Sequence, residues 1–371
     1  INKIVMELIQ VAHLSNSINL EDLIDEFKKY KELENKQDTI AIAYAEVKEK
    51  LNYYFLNSIK LNALTEIDTV FKKYKLDINQ DLNYRTLYQL GQLSLAKSTV
   101  TKNFVQELNT FEKRADLLLS KREPKNFNQW IFNFKLFYLL ASSNYKAKRF
   151  NKSNTYLNQI LKKVNSLNIP VSKEFYFKTI VLKVLNTNYL GENESAYLIL
   201  DKFLKEFKLP KCNKNWLDGY GVMSLVLFHG KKYSSIIKLY KNFKKTDQYY
   251  QEISGLEWVM RKNLILILTY FELGNIEESE RLIRVFKQEN SNFLELDKRV
   301  LFFLICIQKV VSNPFQATNT HFHRFVESKL EKKPRYEEDI FVLSFFAWLK
   351  AKMLGEDVYE STIEIVKNLG I

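Results

Sequence analysis

The chain is punctuated at a nearly even interval. Turn-forming positions at Lys148, Gly191, Lys231, Gly274, near Asn313 and at Glu356 lie 43, 40, 43, 39 and 43 residues apart. Between them apolar residues recur with the period of one helix face. A helical hairpin of this size cannot bury its apolar face alone, so successive hairpins must stack on one another. The expected fold is all-α, a solenoid of stacked antiparallel helical hairpins with about eighteen helices, following the order of their sequence.

Composition agrees with long helices and short turns. Nine Gly and five Pro in 371 residues are too few for a loop-rich or all-β chain. Aromatic residues make up 14% and recur inside the periodic segments, which assigns most of them to packing between helices. Cys212 and Cys306 form no CxxC pair and read as ordinary buried thiols. Apolar runs such as Val300 to Ile307 are cut by charge well short of the ~20 residues that span a bilayer, so a soluble protein is expected. No basic segment followed by an apolar one opens the chain, and a cytoplasmic location is expected. The first residue is Ile1, which leaves room for an upstream leader or domain.

Helix signals begin at Asn19-Leu20-Glu21-Asp22, a cap and acidic first turn leading into Leu23, Ile24 and Phe27. Further helices are expected at about 38–60, 63–75, 81–97 and 100–120. Glu123-Pro124 then ends a helix, because proline excludes the helical conformation from the residue before it. This step divides an irregular helical section, 1–123, from a repeat array, 124–371.

Within the array four segments superimpose: Tyr145 to Ser153, Tyr189 to Ala196, His229 to Ile236 and Tyr270 to Ser279. Each has a turn residue followed five positions on by a smaller or apolar residue. The first permits a left-handed backbone and the second lets two helix axes approach. These segments resemble the tetratricopeptide repeat, whose turn reads glycine, any residue, aromatic, two residues, alanine. The match is best at Gly191 to Ala196 and Gly274 to Ser279, while Lys148 and Lys231 replace the glycine elsewhere. The resemblance covers 126–371 and implies a right-handed superhelix whose concave face, lined by the first helix of each pair, holds a peptide or protein segment. The period of about 41 residues exceeds the ~34 of the standard repeat.

Charge is unevenly distributed. The net charge of +13 comprises +9 over 121–166, +2 over 167–228 and +6 over 229–246, so 121–246 carries +17 and the rest −4. Lysines at helix C-termini, such as Lys162-Lys163 and Lys244-Lys245, suit the helix dipole and a solvated face. An excess confined to a third of the chain also suits capture of an anionic partner. The basic patch comprises Lys148, Arg149, Lys152, Lys241, Lys244 and Lys245.

Signs of catalysis are sparse. His321 and His323 stand two apart, which on a helix sends their rings to different sides, and His229 beside Gly230 reads as helix-terminal or solvent-facing. His13 has no partner motif. No HExxH, phosphate loop, GxGxxG or GxSxG occurs. The acids Glu277-Glu278 and Glu337-Glu338-Asp339 read as first turns of helices. Trp130, Trp216, Trp258 and Trp348 fall in first helices and read as core. No enzyme, metal or cofactor is expected.

First helices at about 127–147, 173–190, 214–229 and 251–273 would line the concave wall. Their polar residues include Asn133, Lys135, Lys178, Lys183, Asn186, Asn188, Arg261, Lys262 and Asn263. Some tetratricopeptide domains grip a C-terminal carboxylate with such side chains, although the spacing here does not reproduce that clamp. The expected function is a non-catalytic scaffold or adaptor that binds a protein or peptide segment in this groove. One alternative is a nucleic-acid-binding helical repeat, against which stands the scarcity of arginine. Another resembles the tetratricopeptide peptide-pheromone receptors, though no helix-turn-helix head precedes the array.

Overall fold

The computed structural model describes residues 2–11, 19–57, 69–70, 72–76, 83–100, 103–121, 123–167, 169–206, 213–296, 298–329 and 339–368. Among these every regular element is helical. The chain forms two compact units, 1–140 and 141–371, dividing within one helix.

In the first unit, α1 (Asn2–Val11) and α2 (Leu20–Asn57) pack together, and α2 packs on α3 (Tyr84–Val100), which pairs with α4 (Phe104–Lys121). Asn19 caps α2, its Oδ1 accepting from Glu21 N at 3.0 Å, as its sequence signal predicts. The expected break before residue 38 is absent. No glycine or proline interrupts Leu20–Asn57, and Lys28–Asp25, Lys31–Glu34 and Lys36–Glu32 pair along its exposed face. Ala43, Val47, Val70 and Leu93 form a core. At Gly91 a Cβ would lie 2.3 Å from Phe111, so glycine lets the buried ring of α4 meet α3. Helix α4 ends at Lys121, just before Glu123-Pro124. Most of the helix expected at 63–75 lies outside the described residues.

Helix α5 (Phe127–Lys146) crosses into the second unit, where hairpins follow in order. They are formed by α6 (Phe150–Leu167), α7 (Lys173–Tyr189), α8 (Asn193–Glu206), α9 (Lys214–His229), α10 (Tyr233–Tyr240), α11 (Asp247–Ser254), α12 (Leu256–Glu272) and α13 (Ile276–Glu289). The remainder comprises α14 (Ser291–Leu296), α15 (Lys298–Ser312), a 3₁₀ turn Pro314–Thr318, α16 (Thr320–Lys329), α17 (Ile340–Leu354) and α18 (Val358–Asn368). The contacts α7 with α8, α8 with α9, α9 with α10 and α12, α12 with α13, α13 with α15 and α15 with α17 make one continuous stack of helical hairpins.

One local device recurs at the turns. Lys148, Gly191, Lys231, Gly274 and Gly355 take φ of 59°, 98°, 55°, 75° and 72°. The next residue's N–H returns to the carbonyl five positions earlier: Arg149 to Asn144, Glu192 to Thr187, Lys232 to Leu227, Asn275 to Tyr270 and Glu356 to Ala351. This is the Schellman closure, in which a left-handed residue satisfies the last carbonyls of the helix. Ser153, Ala196, Ile236 and Ser279, five positions after the first four turns, are fully buried. Ser153 and Ser279 also donate to the facing helix, at Ala141 O and Ile267 O.

Three expectations are corrected. The last left-handed residue is Gly355, not Glu356. Near Asn313 there is no left-handed turn: Pro314 opens a 3₁₀ turn instead, with Asn313 extended at φ −150°. The helix expected at 251–273 is two helices, because Gly255 at φ 85° ends α11 and starts α12. The even spacing is thus interrupted between Gly274 and Gly355.

The lysine turns supply a test. A left-handed conformation costs a residue with a Cβ roughly 1–2 kcal/mol that glycine avoids. Lys231→Gly and Lys231→Ala both lose the ion pair to Asp357, so their difference isolates the backbone. The glycine variant is expected to be more stable than the alanine variant by about 1 kcal/mol in urea unfolding. Equal stabilities would refute this account of the turn.

Candidate functional site: the first-helix wall and its lysines

The expected wall residues fall into two groups, those engaged inside the protein and those facing solvent. Asn186 is fully buried on α7, its Nδ2 donating to Ser153 Oγ at 2.8 Å. Lys183 donates to Asn158 Oδ1 at 2.8 Å. Arg261 on α12 pairs with Glu257 and with Asp339, the cap of α17. Its neighbour Lys262 is paired with Asp247, which also accepts from Asn263 Nδ2 at 2.7 Å. Lys178 is exposed. Asn133 is buried, and Lys135 lies over the Phe132 ring at 4.9 Å; both belong to the first unit.

The wall is also covered along part of its length. Helix α17 is apolar around its circumference, with Ile340, Leu343, Phe345, Phe346, Trp348 and Leu349 buried, as a helix enclosed on all sides must be. Beyond its stacking on α15, it meets earlier first helices. Leu343 and Ile340 share a core with Tyr189 of α7 and Leu225 of α9, and Tyr189 OH lies 3.4 Å from Ser344 Oγ. On α12, Phe271 packs edge-on against Trp348, and Glu272 accepts from Trp348 Nε1 at 2.6 Å and pairs with Lys352 at 2.7 Å.

His229, the last residue of α9, is buried rather than solvent-facing. Its Nδ1 lies 3.0 Å from Asn188 Nδ2, whose amide orientation is set by Asn193 Nδ2 donating to Asn188 Oδ1 at 2.9 Å. Asn188 is therefore the donor, and the neutral ring carries its proton on Nε2. The rings of Tyr189 and Tyr359 flank it at 6.1 and 5.3 Å. Burial drives the imidazole pKa down to about 3, against the opposing charge of Asp357.

Sequence reading passed over Asp218, a half-buried carboxylate on α9. Burial raises its pKa, while Lys214 beside it, Lys178 from α7 and Arg261 from α12 oppose the rise. A lone aspartate in a first helix carries no sequence signal; its meaning lies in lysine and arginine brought from other helices.

The basic patch is sorted in the same way. Lys148 is only 6% exposed. Arg149 is half-buried and Lys152 exposed. Lys231 pairs with Asp357 at 2.6 Å, and Lys232 pairs with Glu194 at 3.1 Å while lying 3.8 Å from the centre of the Tyr197 ring. Lys241, Lys244 and Lys245 are exposed. Lys241 is the residue that closes α10, whereas Lys244-Lys245, which the sequence places near the end of a second helix, lie in the following loop because α10 stops at Tyr240.

The remaining expectations resolve locally. Trp216, Trp258 and Trp348 are core residues, with Trp258 Nε1 donating to Leu217 O at 2.9 Å. Trp130 is half-buried. Glu277 and Glu278 open α13, with Glu278 gripping Arg281 through two contacts of 2.7 Å. His323 Nε2 bonds to Ala317 O at 2.7 Å. Cys306 is buried and unpaired, and burial pushes its thiol up to about 12. Cys212, His13, Glu337 and Glu338 lie outside the described residues. No helix among the described residues is long and apolar enough to cross a membrane.

No protein-family model and no characterised protein matches the chain by sequence. Among solved structures it is similar to a Rap protein crystallised in complex with competence and sporulation factor. The identity is 12%, the TM-score 0.49, and the match covers 90% of this chain and 88% of that one.

Proposed function

We propose that the protein is a non-catalytic scaffold that captures an acidic protein or peptide segment. The observation that carries this reading is the division of its basic residues. Arg261, Lys262, Lys231 and Lys232 are matched by acids within the chain, whereas Lys238, Lys241, Lys244 and Lys245 face solvent in the same unit. Uncompensated positive charge on a rigid stack raises the local concentration of anionic partners and speeds their docking. Because Arg261 and Lys262 are held by Asp339 and Asp247, the solvent-facing lysines are the better candidates for first contact. The buried wall then serves chiefly to fix their positions.

The test is affinity capture from the native cell extract, with and without nuclease and at low and high salt. A specific protein retained after nuclease treatment, and weakened modestly by salt, is the expected result. Recovery of nucleic acid alone, lost steeply as salt rises, would overturn the reading.

A further inference from the structure

Helix α10 is the shortest second helix of the hairpin series. It spans 8 residues, against 18 in α6 and 14 in each of α8 and α13. The cause lies at Phe243. Its ring packs 5.0 Å from Trp216, 5.9 Å from Tyr220, 5.2 Å from Tyr240, 5.3 Å from Tyr250 and 5.7 Å from Trp258. Drawing this ring inward takes the chain out of the helix after Tyr240. The loop is closed at its far end by Lys245 N donating to Tyr250 OH at 3.2 Å, and by Thr246 capping α11. A fixed aromatic anchor thus leaves Lys241, Lys244 and Lys245 at the surface, with Lys238 one turn earlier.

Among the described residues no acid pairs with Lys238, Lys241, Lys244 or Lys245. The run 229–246 contains six lysines and no acid. Two of the six, Lys231 and Lys232, are paired elsewhere. The nearest acid in sequence, Asp247, is engaged by Lys262 and Asn263. Lys245 lies 5.8 Å from the centre of the exposed Tyr249 ring.

We propose that the segment Lys238 to Tyr249 is a docking site for an acidic segment of a protein partner, contacted by Lys238, Lys241, Lys244 and Lys245 beside the Tyr249 ring. This rests on the binding reading above and assigns it a place. The chemistry favours protein over nucleic acid. All the cations are lysine, without the guanidinium forks suited to phosphates and bases. Trp216 and Trp258 are buried and Phe243 half-buried, so Tyr249 alone of these rings is exposed, short of the series of rings on which successive bases stack.

The probe is a short fluorescein-labelled peptide of alternating glutamate and leucine, read by anisotropy beside a labelled single-stranded oligonucleotide. Lys238→Glu, Lys241→Glu and Lys244→Glu combined is expected to weaken peptide binding about tenfold or more. Lys28→Glu, Lys29→Glu and Lys31→Glu on α2, which changes net charge equally, should alter it less than about twofold. All six side chains are exposed or half-exposed at the surface, and an unchanged thermal transition checks that both variants fold. Equal weakening by both sets, no binding of the peptide, or tighter loop-dependent binding of the oligonucleotide would each overturn the proposal. A captured cellular partner that the loop variant still retains would overturn the loop assignment while leaving the scaffold reading intact.

Discussion

Trp348→Ala is expected to lower the unfolding free energy by about 3–5 kcal/mol, the cost of emptying an aromatic site in a close-packed core. The indole is fully buried, and its neighbours are held from several directions. Phe271 of α12 meets it edge-on at 5.5 Å, and Phe303 of α15 packs at 5.8 and 5.2 Å against Phe345 and Phe346, which share α17 with Trp348. Collapse into the cavity would require α12, α15 and α17 to shift together, so relaxation can recover only part of the loss. Trp348→Phe separates packing from hydrogen bonding. It keeps most of the apolar fill and removes the Nε1–H that Glu272 accepts, leaving Lys352 as the partner of that carboxylate. A smaller loss of about 1–2 kcal/mol is expected. Urea unfolding followed by circular dichroism measures both. An alanine variant within about 0.5 kcal/mol of the native protein, the size of a surface substitution, would show that α17 is not the enclosed helix described here.

A second large effect is tied to pH. The folded protein holds His229 neutral down to about pH 3, whereas an unfolded histidine titrates near 6.5. The unfolded state therefore takes up the proton first as pH falls. The sign is that stability is lost on acidification: the loss begins near the unfolded value and continues to the folded one, by about 1.4 kcal/mol per pH unit. Protonation would also set two donors against each other, since Nδ1 now accepts from Asn188 Nδ2. His229→Gln removes this titration. Its stability relative to the native protein should rise by about 2 kcal/mol between pH 7 and pH 5, whatever its cost at neutral pH. Parallel pH profiles for the two proteins would refute the assignment.

The turns were legible because their chemistry is local. Glycine or a tolerant polar residue, a 6→1 closure and a buried residue five positions later lie within one short window at Lys148, Gly191, Lys231 and Gly274. At Gly355 the same closure occurs, but α18 begins three residues after the left-handed position, where the others begin after two. That extra residue displaced the reading to Glu356. Phe243 hid the end of α10, because its aromatic partners come from α9, α11 and α12. Partnership among charges was least legible of all. Lys262 and Arg261 are adjacent in sequence and read together as polar residues of the concave wall, yet Arg261 is held by Asp339, 78 residues away. Periodicity marks which helix face a lysine shares, and only the folded chain determines which acid it meets.

Folding divides the lysines into those matched by acids, such as Lys262, and those that face solvent, such as Lys244. Lysine-selective acetylation followed by mass spectrometry reads that division directly. In the free protein Lys238, Lys241, Lys244 and Lys245 should label rapidly, while Lys262, whose side chain is 10% exposed, and Lys148 should label slowly. In the presence of the captured partner, the loop lysines should become protected and the slow pair should remain slow. Labelling of Lys262 as fast as Lys244, or a bound partner that protects none of the four loop lysines, would contradict the account.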